Sequence, residues 1–170
     1  MNATDSPNTL FYYEIENLFR KCVERTRKIA RKVSGAGGYP DLDDMCITEN
    51  DRGEFGVALR LASGIVFRTI SQLSQGIEDA NLYNAGIGST QDGYIVYTCL
   101  LPTNWDPNLT SVLDSHIDNA LVSAVVVDWF KSLYPELANP EENRYKELSI
   151  EIQGTLKLRT IVVRRKYRLY

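Results

Sequence analysis

Residues Asn108 to Leu156 read NLTSVLDSHIDNALVSAVVVDWFKSLYPELANPEENRYKELSIEIQGTL. Leu109, Leu113, Ile117, Ala120, Leu121, Ala124 and either Phe130 or Trp129 recur at the spacing of one helix face. The pattern predicts a helix from about Asn108 to Tyr134, ended by Pro135. A second helix is expected to start with Asn139 as N-cap, Pro140 at the first helical position, and Glu141 and Glu142 against the positive helix end. Tyr145, Leu148, Ile152 and Leu156 form its apolar stripe. The loop Pro135–Asn139 is short, so these two helices are predicted to form an antiparallel hairpin.

Toward the N-terminus the same period recurs. Phe11, Ile15, Leu18, Cys22 and Ile29 predict a first helix from about Thr9, as N-cap, to Ser34. The run GAGGYP at 35–40 ends it. Phe55, Leu59, Ala62, Val66, Ile70 and Leu73 predict a second helix from about Asp51 to Gln75. Gly53, Gly56 and Gly64 weaken it by about 1 kcal/mol each where they fall inside it, and Gly64 suggests a close helix crossing. Tyr94 to Leu101 is the best β signal, rich in strand formers and closed by Pro102. Asp92-Gly93 before it is a turn signal, so Leu82 to Gly88 is the expected partner strand of a hairpin at about 82–101. After Arg159 the helical pattern stops and 160–170 reads as an extended arm. The expected fold is mainly α: a four-helix bundle-like domain over 1–159, with a small β-hairpin insertion and an extended C-terminal arm.

The 170 residues suit a single core. No apolar run is long enough to span a bilayer, so no membrane partner is expected. Met1 to Pro7 has neither the basic start nor the apolar core of a secretion signal. Cys22, Cys46 and Cys99 are odd in number, widely spaced and without a CxxC, which points to reduced thiols made in a reducing cytoplasm. Net charge is −3, but two basic segments, Arg20–Lys32 and Lys157–Tyr170, lie in an otherwise acidic chain. That segregation favours charge-complementary association, between copies or with a partner.

Signals for catalysis are weak. The single histidine, His116, lies between Asp114 and Asp118, but residues two apart on a helix point away from each other. There is no GxSxG, P-loop or HExxH pattern. The acidic stretch from Asp41 to Asp51 departs from a calcium loop, with Met45 and Cys46 where an oxygen ligand and a glycine belong. No enzyme activity, metal or cofactor is expected. The tail offers a sharper site. Ile161, Val163, Tyr167, Leu169 and Tyr170 alternate with Arg164, Arg165, Lys166 and Arg168, and no acid follows Glu151. Such an arm suits addition to a partner's sheet or groove better than phosphate binding, which needs no alternating β-branched and aromatic residues.

The layout of two N-terminal helices, a hairpin, an antiparallel helix pair and a basic arm resembles the head–tail connector (adaptor) proteins of tailed bacteriophages. The segments DNALVSAVVVDWFKSLYP at 118–135, NRYKELSIEIQGTLKLR at 143–159 and VRRKYRLY at 163–170 are similar to small neck or tail-completion proteins of phages and prophages of Bacteroides-type bacteria. The resemblance covers about Asp41 to Tyr170. It implies a virion structural protein made in the bacterial host cytoplasm. The subunit would form a homo-oligomeric ring, commonly a dodecamer, in the neck between capsid and tail. The arm Ile161–Tyr170 would dock into the portal protein, the hairpin would meet the neighbouring subunit or the next tail protein, and DNA would slide through the channel without specific binding. The alternatives are a tail-completion or stopper ring protein, and a small nucleic-acid-binding regulator using the basic first helix and tail.

Overall fold

The computed structural model describes residues 8–33, 42–71, 93–101 and 105–157. The elements, in chain order, are β1 (Asn8–Glu14), α1 (Ile15–Val33), the short α2 (Leu42–Met45), a 3-10 turn (Glu49–Asp51), α3 (Arg52–Ser71), β2 (Tyr94–Leu100), α4 (Asn108–Leu133) and α5 (Pro135–Lys157). The mainly α, four-helix class with a small two-stranded antiparallel element is what the sequence predicts. The expected arm at 160–170 and the expected strand at Leu82–Gly88 lie outside the described residues.

The core is built on α4. From Ala120 to Val126 every side chain is buried, so this helix is covered all round. α5 runs back along it, with His116 near the start of α4 beside Glu151 near the end of α5. α1 and α3 pack on its other sides. The stripe residues expected on α3 from Phe55 to Ile70, and Leu148, Ile152 and Leu156 on α5, are all buried. Of the two aromatic candidates at the end of α4, Phe130 is fully buried and Trp129 packs partly against the core, its indole N–H donating to the Met45 carbonyl at 3.1 Å. That bond, together with the Ile47 N–H donating to Thr26 Oγ1 at 3.2 Å, holds the buried segment Met45–Ile47 between α1 and α4.

Three expectations need correction. The first helix starts at Ile15, not Thr9, because 8–14 is a strand. Its partner is β2, in the antiparallel register Thr9↔Cys99, Phe11↔Tyr97 and Tyr13↔Ile95. Those pairs form the inner face, while Leu10, Tyr12 and Tyr94 face out. Strand period places Phe11 and Tyr13 together on the core, which a helix would not. Gly93, at φ +57°, turns the chain into β2, and its carbonyl accepts from Ile15 N–H at 2.7 Å, closing the ribbon where β1 becomes α1.

The second correction is the α4–α5 link, which is the single residue Tyr134 and not a loop through Asn139. Pro135 takes the first helical position, where its missing N–H costs nothing. Pro140 therefore sits inside α5 and removes one backbone bond. Burial of Leu137 and Ala138 in that extra turn offsets the loss. The second helix begins at Arg52, at the expected place. The Asp51 carboxylate accepts from Thr48 N–H at 2.8 Å and Thr48 Oγ1 at 2.7 Å, closing the turn ahead of it. Third, among the described residues Gly64 marks no crossing: a Cβ there would meet nothing within 4 Å.

The ribbon is fastened to the helices through a buried hydroxyl. Tyr97 OH donates to the Ser63 carbonyl at 3.1 Å and accepts from Ser63 Oγ at 2.9 Å. Tyr97→Phe is expected to lower stability by about 1–2 kcal/mol, since it leaves buried polar atoms of Ser63 without their partner. Urea unfolding would show it as a lower midpoint at unchanged slope.

Candidate functional site

Among the described residues, His116, the three cysteines and the acids do not converge on one site. His116 is half-buried on α4, with Nε2 3.5 Å from Glu151 Oε2 and Nδ1 buried without a partner. Among the described residues no hydroxyl or thiol is hydrogen-bonded to it, as an activated nucleophile would be. Asp118 points instead to Lys21 Nζ at 2.6 Å, and the Asp114 carbonyl accepts from Tyr13 OH at 3.5 Å. Cys22, Cys46 and Cys99 are buried. Burial pushes the Cys22 and Cys99 thiols up to about 12, away from the thiolate that attacks or ligates. Of the acidic stretch, Asp51 closes the turn before α3 and Glu49 pairs with Arg52 at 2.5 Å. Among the described residues no group of His, Cys, Asp and Glu is placed to hold a metal ion.

Burial also raises the Tyr13 and Tyr97 hydroxyls well above their ordinary value of 10.0. In the unfolded chain these tyrosines and the two thiols ionise near 10.0 and 9.0, whereas the folded state holds them protonated. Their contribution is complete below about pH 9 and drains away as pH climbs toward 12. Urea midpoints are therefore expected to fall between about pH 8 and about pH 11, and to fall less in a Cys22→Ala/Cys99→Ala variant.

The basic first helix divides its charges between two tasks. Lys21 and Arg25 turn inward to acids of α4 and α5. Glu141 is only 3% exposed, and its Oε1 accepts from Arg25 Nε at 2.9 Å and from Arg25 Nη2, while Oε2 has no partner among the described residues. Arg20, Arg27, Lys28, Arg31 and Lys32 stay exposed. Lys28, Arg31 and Lys32 border a groove of about 490 Å³ floored by Ile29, Val33, Leu137 and Pro140. At the other end of α1, Arg52 reaches from α3 to Glu16 through two bonds, at 2.8 and 3.0 Å, and lies 4.3 Å over the Phe19 ring. The hydrogen bonds from Arg52 hold the Glu16 carboxyl below its ordinary value.

Two apolar faces point outward. One is the outer face of the ribbon, with Leu10, Tyr12 and Tyr94 exposed. The other is the outer side of α3, where Val57, Leu61 and Ile65 are 60%, 54% and 46% exposed. The sequence reading took only the inner stripe of α3. The outer one was visible as a second set of apolar residues at i, i+4 and i+8, interleaved with the first. Contiguous exposed apolar patches on folded proteins are candidate contact surfaces. The tail residues Ile161, Val163, Arg164, Arg165, Lys166, Tyr167, Arg168, Leu169 and Tyr170 lie outside the described residues.

Among the described residues no helix is long and apolar enough to cross a membrane. No protein-family model, curated protein or solved structure matches the chain.

Proposed function

We propose that the protein is a virion structural subunit, a head–tail connector (adaptor) of a tailed bacteriophage, which assembles into a ring beneath the portal and joins capsid to tail without performing chemistry. The observation that carries this reading is the pair of separate apolar outer faces, on the ribbon and on α3, around a well-filled core. A ring subunit has to offer different surfaces to its neighbours and to the components above and below, because a closed ring is built from head-to-tail contacts. Burial that keeps Cys22, Cys99, Tyr13 and Tyr97 protonated, and the scattered acids, also suit a structural role. The layout and the segments at 118–135, 143–159 and 163–170 supply the neck component. In this reading the arm Ile161–Tyr170 enters the portal, and DNA passes through the channel without specific contacts.

Purified protein mixed with its cognate portal protein and viewed by negative-stain microscopy tests the proposal. Ring density added to the portal is the expected result, and removal of Ile161–Tyr170 should abolish it while leaving the circular dichroism spectrum near that of the full chain. A full chain that ignores the portal but binds duplex DNA, with affinity falling steeply as salt rises, would identify a nucleic-acid-binding regulator instead.

A further inference from the structure

The outer stripe of α3 is symmetric in sequence. Centred on Leu61, Val57 and Ile65 lie four residues to either side, and Glu54 and Arg68 seven to either side. At 100° per residue all five fall within about 80° of arc, on one side of the helix. All five are exposed. If α3 of a second copy lies antiparallel across this stripe on a twofold axis through Leu61, like meets like at the centre and opposite charges meet at the ends. Leu61 faces Leu61, Val57 faces Ile65, and Glu54 faces Arg68, each of the latter two pairings occurring twice. A parallel pairing would set Glu54 on Glu54 and Arg68 on Arg68. Gly64, beside the stripe with open space where its Cβ would be, leaves room for the second backbone to approach.

We infer that α3 is a self-association surface, and that the free protein pairs through two antiparallel α3 helices crossing at Leu61. The contact is isologous: it closes at two copies and does not propagate around a ring. The pair is therefore the state of the protein before it docks; it covers the same α3 face that the proposed connector uses and releases it on docking, so sedimentation of the free protein and binding to the portal test the two readings separately. One helix pair buries less than the roughly 1,200–2,000 Å² of a standard interface, so the dimer is expected in the micromolar range.

Sedimentation equilibrium of the purified full chain tests this. The wild type should be a dimer at high micromolar concentration, and Leu61→Asp should weaken it roughly a hundredfold while keeping the wild-type circular dichroism spectrum, since the residue is exposed. The charges fix the orientation. Glu54→Arg or Arg68→Glu alone puts two like-charge pairs into the homodimer and should weaken it about tenfold. Mixing the two variants pairs every arginine with a glutamate and should restore association, as should Glu54→Arg/Arg68→Glu in one chain. Leu61→Cys should also form a disulfide-linked dimer on mild oxidation, the native cysteines being buried. A monomer at all concentrations would overturn the inference. So would a dimer indifferent to Leu61→Asp, or single charge variants that fail to rescue each other. Failure in any of these forms would leave the stripe to another occupant, such as a segment of the same chain or the portal.

Discussion

Arg25→Ala is expected to lower the unfolding free energy by about 3–5 kcal/mol, the usual cost of breaking a buried ion pair from one side. Glu141 sits at 3% exposure on α5, and one of its oxygens already lacks a partner. Arg25 supplies both donors to the other oxygen. Without the guanidinium the buried carboxylate would keep no side-chain or backbone donor among the described residues. The groove beside it admits water, which sets the expected value at the lower end of the range. Replacing both partners, as in Arg25→Met/Glu141→Leu, should recover most of the loss, because two apolar side chains leave no charge to solvate. Urea denaturation of the two variants provides the comparison. An Arg25→Ala protein within about 0.5 kcal/mol of wild type would show that the pair does not bear on stability.

Phe130→Ala should cost about 3–5 kcal/mol as well, by a different route. The side chain is fully buried in the last turn of α4, and its carbonyl accepts from Tyr134 N–H at 2.6 Å, at the one-residue link to α5. Truncation leaves a cavity where two helices are joined with no slack to collapse into it, so the transfer and cavity terms add. For a chain of this length the melting temperature should drop by roughly 8–15 °C. Its neighbour Trp129 is the control. Trp129→Phe gives up one hydrogen bond to Met45 but keeps an aromatic ring, and should cost about 1 kcal/mol. Equal losses for the two variants would mean that the core does not centre on this turn.

Most of the helical frame could be read from the sequence. The inner stripes of α3 and α5 follow the helical period, and α4 begins at Asn108 as expected. The errors share a cause. Phe11, Ile15, Leu18 and Cys22 match helical spacing, yet Phe11, Tyr13, Ile95 and Tyr97 match a strand pair equally well. Local pattern did not separate the two. Likewise Pro135 and Pro140 both suit a helix start, and the burial available to Leu137 and Ala138 selected the earlier one. The basic first helix read as an exposed docking face, whereas Lys21 and Arg25 serve the interior of the fold.

The sequence by itself determined the frame of four long helices and the inner stripes of α3 and α5. A helix satisfies its backbone within one segment, so its own residues carry the needed information. Only the tertiary structure decided that Asn8–Glu14 is a strand, that Tyr94–Leu100 is its partner, and that Glu141 belongs to Arg25. A strand's hydrogen bonds and a buried charge's partner come from elsewhere in the chain, and spacing within one segment says nothing about which distant residues will supply them.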